Sequence, residues 1–231
     1  SSSVIARLTD LDQDGIVDLA LTKVAGGLTD LRTEIRLHRG EKGGRFSARP
    51  VQSFESSGYG AFARYEDIDG DGRVEMVQPR AEISILGLTR MLLSSSFTVK
   101  IDIRRRGGSG SEIFAERPVQ TLETNFGLDF DAPNGLLGAL PMFGHDWNGD
   151  GRPDVLLSKG KDQLGLHRGR AGKEPFESRH PWGLEGPGSV ATQVLEPGAD
   201  RLPEVLVWYP GRKGMDDTLK VYQPRGITPI D

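Results

Sequence analysis

Three observations predict that this sequence folds as an all-β protein, a β-propeller built from four-stranded blades. An acidic phrase recurs three times in close copy and once in degraded form, the residues flanking it alternate as strands do, and a second phrase recurs downstream of it. The close copies are LTDLDQDGIVDLALTK at 8–23, YEDIDGDGRVEMVQPR at 65–80 and GHDWNGDGRPDVLLSK at 144–159. The fourth, VLEPGADRLPEVLVWY at 194–209, keeps acids at its first, fifth and ninth positions (Glu196, Asp200, Glu204) but has Gly198 third and Arg201 sixth. It reads as a unit that keeps the fold without the site. The phrases begin at Asp10, Asp67, Asp146 and Glu196, so successive units are 57, 79 and 50 residues apart.

Each unit opens with an alternating strand, with Val4, Ala6 and Leu8 in the first and Ala61, Ala63 and Tyr65 in the second. The acidic loop follows, then an apolar strand such as Val155–Ser158. A third strand ends in Arg-Gly: IRLHRGEKGGRF at 35–46 matches LGLHRGRAGKEPF at 164–176, with LKVYQPRG at 219–226 a shorter relative. A fourth strand after the Gly-rich turn completes the unit. Four short strands in about 50 residues is the arithmetic of a propeller blade, and a β-sandwich is the alternative that periodicity alone allows. The expected units are 1–57, 58–136, 137–187 and 188–231, within one domain or propeller portion spanning 1–231.

The second unit is long because of an insertion at 82–97, where Ile85, Leu88 and Leu92 repeat at helical spacing. A short helix packed on the sheet rim is expected there. The run Arg104, Arg105, Arg106 leads into Gly107–Gly110 and reads as a solvated hairpin.

In the loops, side-chain oxygens fall at positions one, three and five: Asp10, Asp12, Asp14; Asp67, Asp69, Asp71; Asp146, Asn148, Asp150. Alternate spacing lets a curled loop aim all three inward. Gly15, Gly72 and Gly151 hold position six, where a sharp turn favours a residue without Cβ. Position seven, Ile16, Arg73 or Arg152, offers a backbone carbonyl, and position nine returns a carboxylate, Asp18, Glu75 or Asp154. An oxygen-only cage of this kind suits Ca²⁺ better than Mg²⁺, so three calcium sites are expected. An EF-hand needs a Glu at position twelve and helical flanks, whereas position twelve here is Leu21, Gln78 or Leu157 and the flanks read as strands. Ordinary turn chemistry explains one such loop but not nine positions in register three times.

Charge supports the same conclusion, since the three cages use eleven of the 33 acids, and four carboxylates in one loop repel without a counter-ion. Three Ca²⁺ would move the formal charge from -4 to +2. Sites lacking a position-twelve Glu should bind at about 10⁻⁴ to 10⁻³ M, which would leave them empty at cytosolic calcium and implies an extracellular, cell-surface or periplasmic location. A net charge of -4 offers no general attraction to nucleic acid. Zero Cys excludes disulfides and thiolate chemistry, and no apolar run reaches the length of a membrane span.

With these residues in view, the pattern D-x-[DN]-x-D-G-x-x-[DE] before an apolar strand and a later Arg-Gly turn resembles the FG-GAP/VCBS repeat, the blade of integrin alpha-chain propellers. The resemblance implies propellers of about seven blades, calcium between a blade's first two strands, and roles in adhesion and recognition. Four units then imply a four-bladed ring, two chains completing one, or part of a longer polypeptide. The long second unit also resembles uncharacterised bacterial VCBS proteins.

The sequence assembles no active site. His38, His145, His167 and His180 lack metal-ligand spacing, and His38 and His167 are repeat equivalents, which favours a structural role. Gly58, Gly60 and Ala63 match a loose dinucleotide motif, but a strand follows where a helix is required. The expected function is a non-catalytic, calcium-stiffened scaffold for adhesion or protein recognition. The alternatives are a carbohydrate-binding or carbohydrate-cleaving module, using Trp147, Trp182, Trp208, Tyr59 or Tyr209 as platform, and a structural subunit of a larger assembly. Of these aromatics, Trp208 reads as core.

Overall fold

The computed structural model describes residues 2–27, 30–60, 62–81, 91, 93–108, 112–128, 136–160, 163–177, 182–185, 191–195, 202–208 and 219–222. Regular structure among them is almost wholly β. The first sheet orders β1 (Ser2–Thr9), β2 (Asp18–Ala25), β3 (Arg32–His38) and β6 (Gln52–Ser57), with a small hairpin, β4 (Gly40–Glu41) and β5 (Arg45–Phe46), between β3 and β6. Next come β7 (Arg64–Glu66), β8 (Glu75–Arg80), β9 (Ser96–Arg104), β10 (Gln120–Leu128) and β11 (Leu136–Leu137), hydrogen-bonded in that order. The third sheet is β12 (Met142–His145), β13 (Asp154–Ser158), β14 (Gln163–His167) and β15 (Trp182–Glu185); the fourth is β16 (Ala191–Leu195), β17 (Glu204–Trp208) and β18 (Leu219–Tyr222).

Every sheet is a meander of sequential strands, and each acidic loop joins the first two strands of its sheet, as the strand, loop, strand order predicts. The strand counts depart from a uniform four. Leu136 and Leu137 pair with Leu128 and Gly127 and add a fifth strand to the second sheet. The fourth sheet has three described strands.

The helix expected over 82–97 is not seen as an element. Residues 82–90 and 92, including Ile85, Leu88 and Leu92, lie outside the described residues; only Met91, Leu93 and Ser94 have helical backbone. Strand begins again at Ser96, where SFTVKIDIR alternates polar and apolar residues, and its Lys100–Arg104 half pairs with β8.

By contacts the chain divides into two compact units. The first comprises Ser1–Asp67, Asp71–Thr89 and Val99–Leu122, the second Ile68–Gly70, Arg90–Thr98 and Glu123–Asp231. The first unit buries Leu11, Ala20, Ile35, Leu37, Phe54, Ala63, Met76, Ile113 and Phe114 as one cluster. The second buries Ala139, Met142, Trp147, Leu156, Leu164, Leu166, Val205 and Val207. In both, residues from successive sheets share one core, and each fully buried Ile, Leu or Phe contributes about 1.5–3 kcal/mol. Position two of the first and third loops, Leu11 and Trp147, is part of that core, so burial anchors each loop at its start.

The alternating strand expected at Val4, Ala6 and Leu8 is β1, an edge strand on which Val4 and Leu8 are 61% and 64% exposed. Burial corrects three other expectations. Trp147 is fully buried and so removed from any ligand platform, while Trp208, expected in the core, is 36% exposed at the end of β17. Of the arginine run only Arg104 departs, being buried within β9; Arg105 and Arg106 enter the hairpin, where Arg106 is exposed and pairs with Phe114.

Candidate metal centre

The three loops share one backbone scaffold. The position-one carboxylate accepts the position-six amide in each: Asp10 Oδ2 from Gly15 at 2.9 Å, Asp67 Oδ2 from Gly72 at 2.9 Å, and Asp146 Oδ2 from Gly151 at 2.7 Å. The position-five carboxylate accepts the position-seven amide: Asp14 Oδ1 from Ile16 at 2.8 Å, Asp71 Oδ1 from Arg73 at 2.8 Å, and Asp150 Oδ1 from Arg152 at 3.0 Å. These Asx-type bonds curl each loop in the same way.

The glycine at position six takes φ of +86°, +82° and +83° in the three loops, the left-handed region that its residue type favours. Position four is left-handed as well, at Gln13 (55°), Gly70 (74°) and Gly149 (79°). Two of those three are glycine in the sequence, which was the available signal; Gln13 concealed it.

Position four also meets a neighbouring repeat. In the first unit Gln13 Nε2 donates to the Gly72 carbonyl at 2.9 Å. In the second, a Cβ on Gly70 would lie 3.1 Å from Pro153, and one on Gly149 3.1 Å from Leu202, in the degenerate fourth phrase. Of that phrase Val194, Leu195 and 202–208 are described; Glu196, Asp200 and Tyr209 lie outside the described residues.

Among the described residues, two groups of carboxylates converge with oxygens within 4.8 Å of one another: Asp10, Asp12 and Asp18, and Asp67, Asp69 and Asp71. Asp14 and Glu75 fall outside these groups. Asp12 is 7% exposed and its Oδ1 has no hydrogen-bond partner. A buried carboxylate oxygen without a donor is costly unless a cation completes it. The donor set, all hard oxygen, fits a divalent cation of the Ca²⁺ type. In the third loop Asn148 supplies the middle oxygen; its Oδ1 accepts from the Asp150 amide at 2.8 Å, and its Nδ2 reaches Asp154 at 3.4 Å.

Position nine has a second role that sequence reasoning missed. Asp18 accepts the Leu11 amide at 2.8 Å through Oδ2 and the Gly40 amide at 2.7 Å through Oδ1. Asp154 repeats this with Trp147 at 2.9 Å and Gly169 at 2.7 Å. Each carboxylate therefore ties the start of its own loop to the Arg-Gly turn. The glycine is required sterically: a Cβ on Gly40 would sit 2.2 Å from the Val17 carbonyl, and one on Gly169 2.1 Å from that of Pro153. Burial, with added repulsion from Asp150 and Asp146, pushes Asp154 up to about 6 against the lowering effect of the two amides. Asp18 is raised for the same first reason, burial.

One strand away, the equivalent histidines behave identically. His38 Nδ1 donates to the Ser47 carbonyl at 2.8 Å and His167 Nδ1 to that of Glu177 at 2.7 Å, which fixes the proton on Nδ1. Burial lowers the pKa of His167. Register places Arg104 opposite Met76, just as His38 faces Leu19 and His167 faces Val155. Arg104 thus replaces the histidine in the second repeat, bonding Gln78 at 3.1 Å, pairing with Asp102 at 3.7 Å and lying 5.1 Å over the Phe54 ring. His145, read as incidental, stands edge-on to Trp147 at 5.4 Å.

Comparison with known families gives one match: residues 10–77 match the FG-GAP-like repeat, running from position one of the first loop to the strand after the second. This chain carries FG-GAP-like repeat sequence over that span. No curated protein and no solved structure gives a significant match.

Proposed function

We propose that the protein is a calcium-stiffened recognition scaffold of the propeller type, non-catalytic, working outside the cytosol, with one Ca²⁺ at each of the three intact loops. The observation that carries this is the threefold recurrence of one loop geometry at one place in the sheet, with the unpartnered Asp12 Oδ1 inside the first. The FG-GAP-like match supports a recognition or adhesion role. Calcium would be held by Asp10, Asp12 and Asp18, by Asp67, Asp69 and Asp71, and by Asp146, Asn148 and Asp150. Its charge offsets carboxylate repulsion and rigidifies the loop face for a partner. Amide hydrogen exchange tests the reading: calcium should slow exchange across 10–18, 67–75 and 146–154 together, and unchanged exchange in all three would remove it.

A sugar-binding reading is favoured by one observation. Tyr59 and Phe62 form an exposed edge-to-face pair at 5.8 Å, with Phe62 58% exposed. A glycan array decides it: binding abolished by Tyr59→Ala supports a sugar platform, and silence across the array removes it.

A further inference from the structure

We infer that Arg39 and Arg168, the arginines of the two Arg-Gly turns, are tethered counter-ions that compete with the metal for their own acidic loops and so set the affinity of each loop. The inference rests on the proposed calcium sites and concerns what tunes them.

The pairing registers make the two arginines equivalent. His38 lies opposite Leu19 and His167 opposite Val155, so Arg39 and Arg168 each follow a strand at the same step. Each is held by the glycine after it, whose amide bonds the position-nine carboxylate at 2.7 Å. Each then reaches back to its own loop. Arg39 Nε stands 2.8 Å from Asp12 Oδ2, at position three, and Arg168 Nη2 stands 3.6 Å from Asp150 Oδ2, at position five.

Asp12 therefore presents two different oxygens. Oδ2 faces the guanidinium as an ion pair, without a hydrogen bond from Arg39 Nε, while Oδ1 is buried with no hydrogen-bond partner, and Asp12 belongs to the group formed with Asp10 and Asp18. A single carboxylate charge cannot fully compensate both a guanidinium and a divalent ion a few ångströms apart, and the two cations repel. Arg39 thus stabilises the metal-free loop and opposes filling it. The longer contact of Arg168 predicts a weaker effect in the third loop.

The test is calcium titration by calorimetry on the full chain, for wild type, Arg39→Gln, Arg168→Gln, Arg39→Lys and Arg36→Gln. Arg36, three residues before Arg39, is paired with Glu34 at 2.6 and 2.9 Å, so it controls for loss of one positive charge. Arg39→Gln should tighten one site about fivefold, the equivalent of one partly exposed ion pair, and Arg168→Gln less. Arg39→Lys, which keeps a charge, and Arg36→Gln should stay within about twofold of wild type. In chelator Arg39→Gln should melt lower than wild type, and in saturating calcium this deficit should vanish. Unchanged or weaker calcium binding in Arg39→Gln overturns the inference while leaving the calcium sites standing. If wild type binds no calcium but Arg39→Gln does, the competitor role is supported in its strongest form; if neither binds, both readings fall.

Discussion

Asp154 and Gly169 are joined by a 2.7 Å bond from backbone amide to carboxylate across fifteen residues, and Asp18 and Gly40 form the same 2.7 Å bond across twenty-two. Both carboxylates are fully buried and also accept an amide from position two of their loop. The conserved-looking ninth acid of the repeat is therefore a bracket that closes the loop onto the next turn, whatever it contributes to a metal.

This bracket predicts a division of labour among the acids. Asp18→Ala or Asp154→Ala leaves two buried amides without acceptors and should cost about 2–4 kcal/mol in denaturant unfolding carried out in chelator. Asp14→Ala removes an exposed loop acid that accepts only the Ile16 amide among the described bonds and should cost under about 1 kcal/mol in chelator. Equal losses in all three would show that position nine has no special structural role.

Glycine substitutions follow from space. Gly40→Ala and Gly169→Ala force a Cβ against a loop carbonyl at 2.2 and 2.1 Å, and each should destabilise by more than about 2 kcal/mol. Gly108→Ala has open space and no left-handed backbone, so it should be neutral or slightly stabilising. Gly72→Ala lies between, with open space but φ of +82°, at about 1 kcal/mol. Thermal melts should place Gly108→Ala highest, Gly72→Ala next, and Gly40→Ala and Gly169→Ala lowest.

The raised pKa of Asp154 fixes a sign for the pH dependence. An acid at about 6 when folded, against 3.8 unfolded, favours the folded state most below 3.8, and that advantage is lost as pH rises through 6. For the chelated protein this leaves an ionised, buried carboxylate as a penalty once the pH is above about 6. His167 runs the other way, its lowered pKa costing stability as pH falls below 6.5. Bound calcium relieves the carboxylate penalty and leaves the His167 contribution in place. The difference in melting temperature between calcium and chelator should therefore widen from pH 5 to pH 7; a constant gap would refute the link between Asp154 and the metal.

Much of this arrangement is legible in the residues. D-x-D-x-D-G in three copies announces the loop, Gly15, Gly72 and Gly151 announce the turn, and the equivalence of His38 and His167 announces their shared structural bond. What stays hidden depends on partners distant in the chain. Asp18 looks like one more ligand until Gly40 is seen above it. Arg104 reads as a solvent charge until Gln78, Asp102 and the Phe54 ring surround it, because a run of arginines carries no mark of which one the strand turns inward. Trp147 resembles a platform because position two of a loop looks exposed, whereas its ring anchors the second unit's core.

The most direct test of the account is a calorimetric titration of the chelator-stripped protein with Ca²⁺, with the melting temperature recorded before and after. The account predicts close to three sites per chain and a higher melting temperature in calcium, by roughly 1.4 kcal/mol of stabilisation per site at tenfold excess over its dissociation constant. No heat of binding and no change in melting would contradict it, and would leave the three acidic loops as turns held by their own Asx bonds alone.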